Sequence, residues 1–221
     1  MTATDILRFV SDIGEVEETD TTTNPWSPRR THGEARRLNL ALFLQESYDK
    51  SCPYLLIGEA PGFHGCRVTG IPFTDERTIK ENAYFRRHFP RVAEKFSECP
   101  EIGATVKEPS AKAIWGAFER VSPEKPPCLW NIFPFHPFDP DKGVWSNRTP
   151  TEEEARSGVN WIERFIRILK PKKIVAVGRI AAHHLNAAGI HANRVRHPAN
   201  GGIPEFLRDL NIIINRQFGV Q

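Results

Sequence analysis

Three polar residues follow short apolar runs, at points where a sheet could bring them together. Glu59 lies in the turn of LLIGEAPG directly after the first run, Asn131 ends CLWN, and His197 follows NRVR. A carboxylate can orient a water molecule, an amide can donate and accept hydrogen bonds at once, and an imidazole can stabilise a developing anion. If the fold brings the three together, the glycine- and proline-rich turn around Glu59 is the floor of an active site, because it lets the backbone approach a ligand closely.

Each of these residues also has a purely structural interpretation. Glu59 could accept N–H bonds within its own turn, and Asn131 could hydrogen-bond locally near a strand end. The His-Pro dipeptide of His197 occurs a second time at His136, so the dipeptide alone does not identify a catalytic residue. Phe73, in the later stretch GIPF, is of a type found more often in cores than as a stacking surface. The combination and order of these residues are less common than any one of them.

Several common site motifs are missing from the sequence. GEAPGFHG does not fit G-x-G-x-x-G, there is no Gly-Lys-Ser/Thr, and G-x-S-x-G is absent. The four cysteines are far apart and form no C-x-x-C pair, which predicts reduced thiols rather than a zinc site or a cluster. We therefore expect no metal and no other cofactor.

Apolar runs of strand length alternate with segments of helical periodicity. Strands are expected at residues 53–58, 128–133, 172–178 and, more weakly, 193–198. Helices are expected at residues 34–48, 78–96 with Pro90 as a break, 110–121, 150–170, 179–189 and 203–218. Ser110 is the expected N-cap of the third of these helices. Thr149, Pro150 and Glu152 are expected to form the N-cap, first turn and capping box of the fourth.

This alternation predicts an α/β fold, a three-layer α/β/α sandwich with a central, mostly parallel, four-stranded sheet. Residues 1–34 are expected to form an N-terminal helix and a partly ordered linker, and residues 35–221 the main domain. In parallel sheets of this kind, ligands bind outside the carboxyl ends of the strands. Glu59, Asn131 and His197 all follow strands, so we expect them at that edge.

Charge and hydropathy add weaker information. The net charge is only +3, but basic residues gather around Arg86 and Arg87 and around Arg194 and Arg196. Such clusters could contact phosphates, or they could be ordinary solvated faces. No apolar run approaches the roughly 18 residues of a membrane span, and the first residues do not resemble a signal peptide, so we expect a cytoplasmic protein.

The motifs, taken in order, resemble those of the uracil-DNA glycosylase superfamily. GEAPG (58–62) is the first motif as family 4 has it, and TGIPF (69–73) looks like the TGVPF of the single-strand-selective monofunctional family. LWNIFP (129–134) corresponds to the strand that carries the base-reading asparagine. RHPANGG (196–202) is similar to the His-Pro loop that carries the catalytic histidine and enters the DNA minor groove. The resemblance runs from about residue 50 to residue 215.

The resemblance implies a monomeric, monofunctional DNA glycosylase of base-excision repair, acting on uracil or a related deaminated base flipped out of DNA. It implies His197 and Glu59 as catalytic residues, the first stabilising the departing base and the second orienting water. The implied base-contacting residues are Gly58, Glu59, Ala60, Phe73 and Asn131. The implied DNA-contacting residues are Arg86, Arg87, Arg194, Arg196, Asn200 and Gly201.

The sequence departs from the family pattern in three ways. No cysteine precedes Cys52, so the iron–sulfur cluster of family 4 is not expected. Ala60 stands where several families have the Asp or Asn that orients the attacking water. The loop after His197 is small, where a bulky wedge often fills the hole left by the base. Two alternatives stay open: a nucleic-acid-binding protein of this fold with little or no activity, and an unrelated α/β enzyme acting on a small molecule.

Overall fold

The structure, a computed structural model, describes residues 3–99 and 108–215. The helices of these ranges are α1 (Ala3–Gly14), α2 (Gly33–Asp49), α3 (Cys66–Thr69), α4 (Glu76–Glu81), α5 (Ala83–His88), α6 (Pro90–Lys95), α7 (Pro109–Val121), α8 (Glu152–Leu169), α9 (Arg179–Ala187) and α10 (Ile203–Asn215). The strands are β1 (Thr22–Thr23), β2 (Tyr54–Gly58), β3 (Pro127–Asn131), β4 (His136–Pro137), β5 (Lys173–Val177) and β6 (Asn193–Val195).

The central sheet has the strand order β3-β2-β5-β6, and every neighbouring pair is parallel. Residues of β2 and β3 are buried throughout, as expected for strands covered by helices on both faces. The register places Gly58 opposite Asn131, and Val177 opposite Val195. The predicted α/β fold with a four-stranded parallel sheet is therefore confirmed, and the carboxyl ends of β2, β3 and β6 meet at one edge.

An aromatic cluster around Trp130 of β3 joins the sheet to the N-terminal part of the chain. The Trp130 ring stacks on Phe165 of α8 at 4.5 Å and on Trp26 at 5.8 Å, and Phe9 of α1 meets it edge-on at 5.5 Å. Gly158 lets α8 come close, since a Cβ there would lie 1.8 Å from the carbonyl oxygen of Ile132. The helix thus packs directly on the segment that leaves β3.

The segment between α1 and α2 contributes to this core. Trp26 is fully buried and donates its indole N–H to the carbonyl of Gly70, at 3.0 Å. Asn24 is also buried and donates to the carbonyl of Ile13, at 2.8 Å. Strand β1 pairs antiparallel with β4, next to the site described below. The expected division at residue 34 stays a prediction, although this linker packs against the main body.

The predicted helix at 78–96 is three short helices, α4, α5 and α6. Pro90 begins α6, which agrees with the predicted break. A second break occurs at Asn82, whose extended backbone ends α4 and whose side chain accepts the N–H of Phe85 to cap α5. The side chain of Asp75 caps α4 in the same way, through the N–H of Thr78. Side-chain capping of the backbone at these positions outweighs the continuous helical periodicity.

Two predicted helix starts are wrong. Helix α7 begins at Pro109, not after Ser110, because proline suits the first helical position, where no N–H is needed. Helix α8 has Thr151 and Glu154 as its capping box, two residues later than the predicted Thr149 and Glu152.

The predicted closing helix extends to residue 218. In the structure, α10 is described to Asn215, and the last three residues of the prediction lie outside the described ones.

Among residues 3–99 and 108–215, no helix is both long and apolar enough to cross a membrane. The cysteines Cys52, Cys66, Cys99 and Cys128 are all buried and form no disulfide. Burial raises the pKa of the Cys52 thiol to about 12, which keeps this thiol protonated at neutral pH.

Candidate active site

The Glu59 turn is held against the segment that leaves β3. The N–H of Ile132 donates to the carbonyl of Gly58 at 2.8 Å, and the N–H of Phe133 donates to the carbonyl of Glu59 at 3.0 Å. These bonds continue the parallel pairing of β2 and β3 beyond the strands themselves. The backbone of the turn is therefore fixed, and its side chains project from a rigid base.

A small cavity of about 190 Å³ opens at this edge of the sheet. It is lined by Glu59, Ala60, Pro61, Gly62, Phe73, Glu108, Ser110, Asn147, Arg148 and His197. The structure thus brings together four of the predicted site residues: Glu59, Ala60, Phe73 and His197. The volume is below the roughly 300–1,000 Å³ of pockets for drug-sized ligands, so the cavity suits a single small ring.

Glu59 is partly buried, and this burial raises the pKa of its carboxyl group. A hydrogen bond from the Thr149 side chain and the nearby His184 oppose the shift without cancelling it. The Thr149 side chain therefore favours the ionised carboxylate, in an environment that is less polar than water. Such a group can act as a base or as a counter-charge to a developing cation.

His197 follows β6 and is half-buried beside the cavity. Its Nδ1 accepts the N–H of Ala199 at 3.1 Å, which in the neutral ring leaves the proton on Nε2. Burial lowers the pKa of His197, favouring this neutral form. Gly178 lies against the histidine: its φ is +94°, and a Cβ there would be 3.3 Å from the Cβ of His197. The result is an oriented imidazole with an N–H available as a donor.

Phe73 lines the cavity with a strained backbone. Its φ of +53° is uncommon for a residue with a side chain. The indole N–H of Trp115 donates to the Phe73 carbonyl at 3.1 Å, which helps to hold this conformation. A Cβ on Gly58 would lie only 1.9 Å from the Phe73 ring, so the ring packs on the first residue of the GEAPG turn. Strain of this kind, held in place by buried contacts, is typical of functional sites.

Asn131 is positioned but does not line the cavity. It ends β3 opposite Gly58 and is 2% exposed. The structure therefore places the predicted base-reading residue directly beside the first motif, without bringing its side chain into the lining of the cavity described above.

Glu108 is a second carboxyl group at the cavity, and sequence reasoning missed it. Burial raises its pKa to about 7, and the nearby Asp75 adds to the increase. Ser110 donates to its Oε1. Its Oε2 has no hydrogen-bond partner among the described residues, and a Cβ on Gly65 would lie 1.3 Å from this oxygen. Glu108 thus packs directly on the loop that follows the GEAPG turn. No local motif marks it.

Asn147 and Arg148 also line the cavity and were not predicted. Asn147 accepts the backbone N–H of Phe63 at 3.1 Å and so ties two loops together. Arg148 makes two 2.6 Å contacts with the carboxylate of Glu154, in a bidentate pair. It also donates to the carbonyl of Phe138 at 3.1 Å. In the sequence, these two residues stand out only because they lie close to the capping sequence of α8, and this feature is not specific to a functional site.

The predicted DNA-contacting residues fall into two groups. Arg194, Arg196, Asn200 and Gly201 are exposed on β6 and the loop around His197, next to the cavity. Arg86 and Arg87 are exposed on α5, and Arg87 donates to the Ser122 hydroxyl at 3.0 Å, just before β3 begins. The structure therefore places α5 toward the amino ends of the strands, away from the cavity.

His136, in the second His-Pro dipeptide, is fully buried. Its ring nitrogens contact the carbonyl oxygens of Pro61, at 2.8 Å, and Val144, at 3.1 Å. This histidine connects loops rather than lining the cavity. Among the described residues, the group whose side chains could hold a metal ion is Glu152, His183 and His184; it contains no cysteine and is mostly exposed.

Comparisons with known proteins agree with this architecture. The crystal structure of wild-type Pedobacter heparinus SMUG2 matches with a TM-score of 0.71 at 16% sequence identity, covering 99% of this chain and 98% of that one. At this identity the match establishes the fold. No protein of curated function matches the sequence. The sequence profile of the uracil DNA glycosylase superfamily matches residues 46–213, which include every cavity-lining residue. The chain belongs to the uracil DNA glycosylase superfamily.

Proposed function

We propose that this protein hydrolyses the N-glycosidic bond of uracil, or of a related deaminated base, after the nucleotide is flipped out of DNA. Family membership supports a DNA glycosylase-type function. The observation that carries the finer proposal is that Glu59 and an oriented His197 line one cavity of single-ring size. Monomeric action, in base-excision repair in the cytoplasm, is part of the proposal.

The two residues have complementary roles in the proposed reaction. Breaking the bond leaves negative charge on the departing base and positive charge on the sugar. The Nε2–H of His197 donates to the O2 of the base and stabilises the anion. The carboxylate of Glu59 orients water toward C1′ and offsets the developing cation. Water then supplies the hydroxyl group to C1′, and its proton balances the released base.

Base selection is assigned to Phe73 and Asn131. The Phe73 ring lies in the cavity wall and stacks on the flipped base, a contact that typically contributes about 1–3 kcal/mol. The Asn131 amide donates to O4 and accepts from N3–H of uracil. Cytosine would mismatch both bonds, at a cost of about 1–3 kcal/mol for an unpaired buried group. Because Asn131 is 2% exposed and outside the cavity lining, this role needs its amide to reach the base when DNA binds.

Single-turnover excision of uracil from single- and double-stranded oligonucleotides tests the proposal. We expect His197→Ala and Asn131→Ala each to lower the rate by at least about tenfold, since losing one preorganised donor costs roughly 2.7–4 kcal/mol. DNA affinity should change far less. His191→Ala, which removes an exposed histidine before β6, is the matched control and should retain the wild-type rate. No excision by the wild type across a panel of deaminated bases, or full activity in His197→Ala, would contradict the proposal.

A second candidate is a nucleic-acid-binding protein that keeps this fold with little catalysis. Ala60 favours it, because this residue lines the cavity where several families of the superfamily place an Asp or Asn. The same assay decides between the two, as the binding protein would retain uracil-containing DNA without releasing base. Restoring a carboxylate with Ala60→Asp should then raise the rate.

A further inference from the structure

Trp145 is the exposed tryptophan of the protein. Its side chain is 46% exposed, whereas Trp26, Trp115 and Trp130 are fully buried and Trp161 is partly buried. It lies in the loop between β4 and α8, and the proposed chemistry does not use it. A single exposed apolar side chain needs no explanation by itself. Its surroundings, however, differ from those of an ordinary surface residue.

A buried cation lies under one face of the Trp145 ring. The guanidinium carbon of Arg67 is 4.3 Å from the ring centroid, and Arg67 is only 3% exposed. Arg67 belongs to α3, which follows the GEAPG turn, so the contact ties the indole to the site. A cation–π contact of this geometry helps to hold the ring in place, while Trp145 stays 46% exposed.

The loop that carries Trp145 is fixed on both sides of the residue. The Val144 carbonyl contacts Nε2 of the buried His136 at 3.1 Å. The Ser146 hydroxyl donates to the Gly143 carbonyl at 2.7 Å and accepts the N–H of Asp139 at 3.0 Å. Asn147, two residues after the tryptophan, lines the cavity. The exposed indole therefore stands on a fixed loop, two residues before a side chain that lines the cavity.

We propose that Trp145 is a stacking platform for the nucleobase next to the flipped-out nucleotide in single-stranded DNA. The proposal rests on the proposed function for the position of the flipped base, and it adds a subsite outside the cavity. An unpaired strand offers its neighbouring bases for stacking, whereas in a duplex they remain stacked in the helix. Base–aromatic stacking is tolerant of sequence, so such a platform does not require a particular neighbouring base.

A binding cycle with single-stranded probes tests the platform. Each probe contains 2′-fluoro-2′-deoxyuridine, in which the electronegative fluorine disfavours the sugar cation and so slows cleavage. The neighbouring nucleotide is thymidine or an abasic tetrahydrofuran spacer, placed on the 5′ or the 3′ side in separate probes. Affinities of wild type, Trp145→Ala and Trp145→Phe are measured by fluorescence anisotropy.

For one of the two sides, we expect the spacer to weaken wild-type binding by roughly five- to a hundredfold. With the thymidine probe, Trp145→Ala should already bind more weakly than wild type by about this factor, and the spacer should weaken its binding little further. Trp145→Phe should have an affinity near that of wild type. Tyr48→Ala, which removes an exposed aromatic residue near the end of α2, is the control and should bind as the wild type does. Equal spacer effects in wild type and Trp145→Ala, on both sides, would overturn the platform.

The same proteins are assayed for uracil release, which separates the two proposals. If the spacer effect depends on Trp145 but no uracil is released, the platform is supported and the proposed reaction is contradicted. Release by the wild type without coupling between Trp145 and a neighbouring base would remove the platform alone.

Discussion

At the scale of single residues, the ionisation of Glu59 should set the acid limb of activity. Burial raises the pKa of its carboxyl group above the ordinary value of 4.5, and the proposed role needs the ionised form. The rate should therefore rise with pH through this raised pKa. Glu59→Gln should lower the single-turnover rate by at least about tenfold and remove that limb. A Glu59→Gln variant that keeps the wild-type acid limb would assign the limb to another group, such as His197.

Glu108 should link the stability of the fold to pH. Its pKa is about 7 in the folded protein against 4.5 ordinarily, so folding favours the protonated acid. The corresponding stabilisation is complete below about pH 4.5 and is lost as pH rises through 7. At about 1.4 kcal/mol per pKa unit, the loss is on the order of 3 kcal/mol.

Denaturant unfolding at pH 5 and pH 8 measures this effect. Glu108→Gln should reduce the decline in the free energy of unfolding between the two pH values, relative to wild type. Glu119→Gln, at an exposed position of α7, which begins directly after Glu108, should leave the decline unchanged. An identical decline in wild type and Glu108→Gln would show that Glu108 does not carry it.

At the scale of elements, two threonines near the start of α8 have different expected roles, one in helix stability and the other in the ionisation of Glu59. Thr151 caps the helix by accepting the N–H of Glu154, and Thr149 hydrogen-bonds to Glu59. Thr151→Ala should therefore reduce the free energy of unfolding by about 1 kcal/mol. Thr149→Ala should change stability by no more than about 0.5 kcal/mol. It should instead shift the acid limb of activity to higher pH, because Glu59 loses a donor to its ionised form.

Paired thermal unfolding and pH–rate profiles of the two alanine variants check this division. A larger stability loss in Thr149→Ala than in Thr151→Ala would mean that the first threonine acts as the cap.

At the scale of the whole molecule, the distribution of basic residues should decide which face meets DNA. Arg194 and Arg196 stand beside the cavity, whereas Arg86 and Arg87 stand toward the amino ends of the strands. Replacing the first pair with Gln should lower affinity for single-stranded DNA. It should also reduce the slope of log affinity against log salt by about 0.7 for each phosphate that is no longer neutralised. The double Gln variant of the second pair has the same charge change and should retain the wild-type slope. Equal slopes for the two variants would show that charge, rather than position, determines binding.

Local sequence patterns were enough to predict the sheet and the edge where the candidate site lies. Short apolar runs that alternate with amphipathic helices can bury their backbones only in a covered parallel sheet. This pattern is local, so it can be read without knowing the contacts. Residues that directly follow the strands, such as Glu59 and His197, then share the carboxyl edge, and the order of motifs around them identified the family correctly.

The other side chains that complete the cavity could not be predicted from local patterns, because long-range packing brings them there. Glu108 reaches the site through its packing on Gly65, and no periodicity marks a contact between segments 43 positions apart. The sequence TPTEEE contains two overlapping T-x-x-E patterns, and the helix uses the second as its capping box. In the same structure, Arg148 pairs with Glu154 and Thr149 interacts with Glu59. Likewise, two similar basic clusters lie in different regions, because helix packing sets the position of α5. Local patterns specify elements, whereas long-range packing and hydrogen bonds specify which polar groups meet.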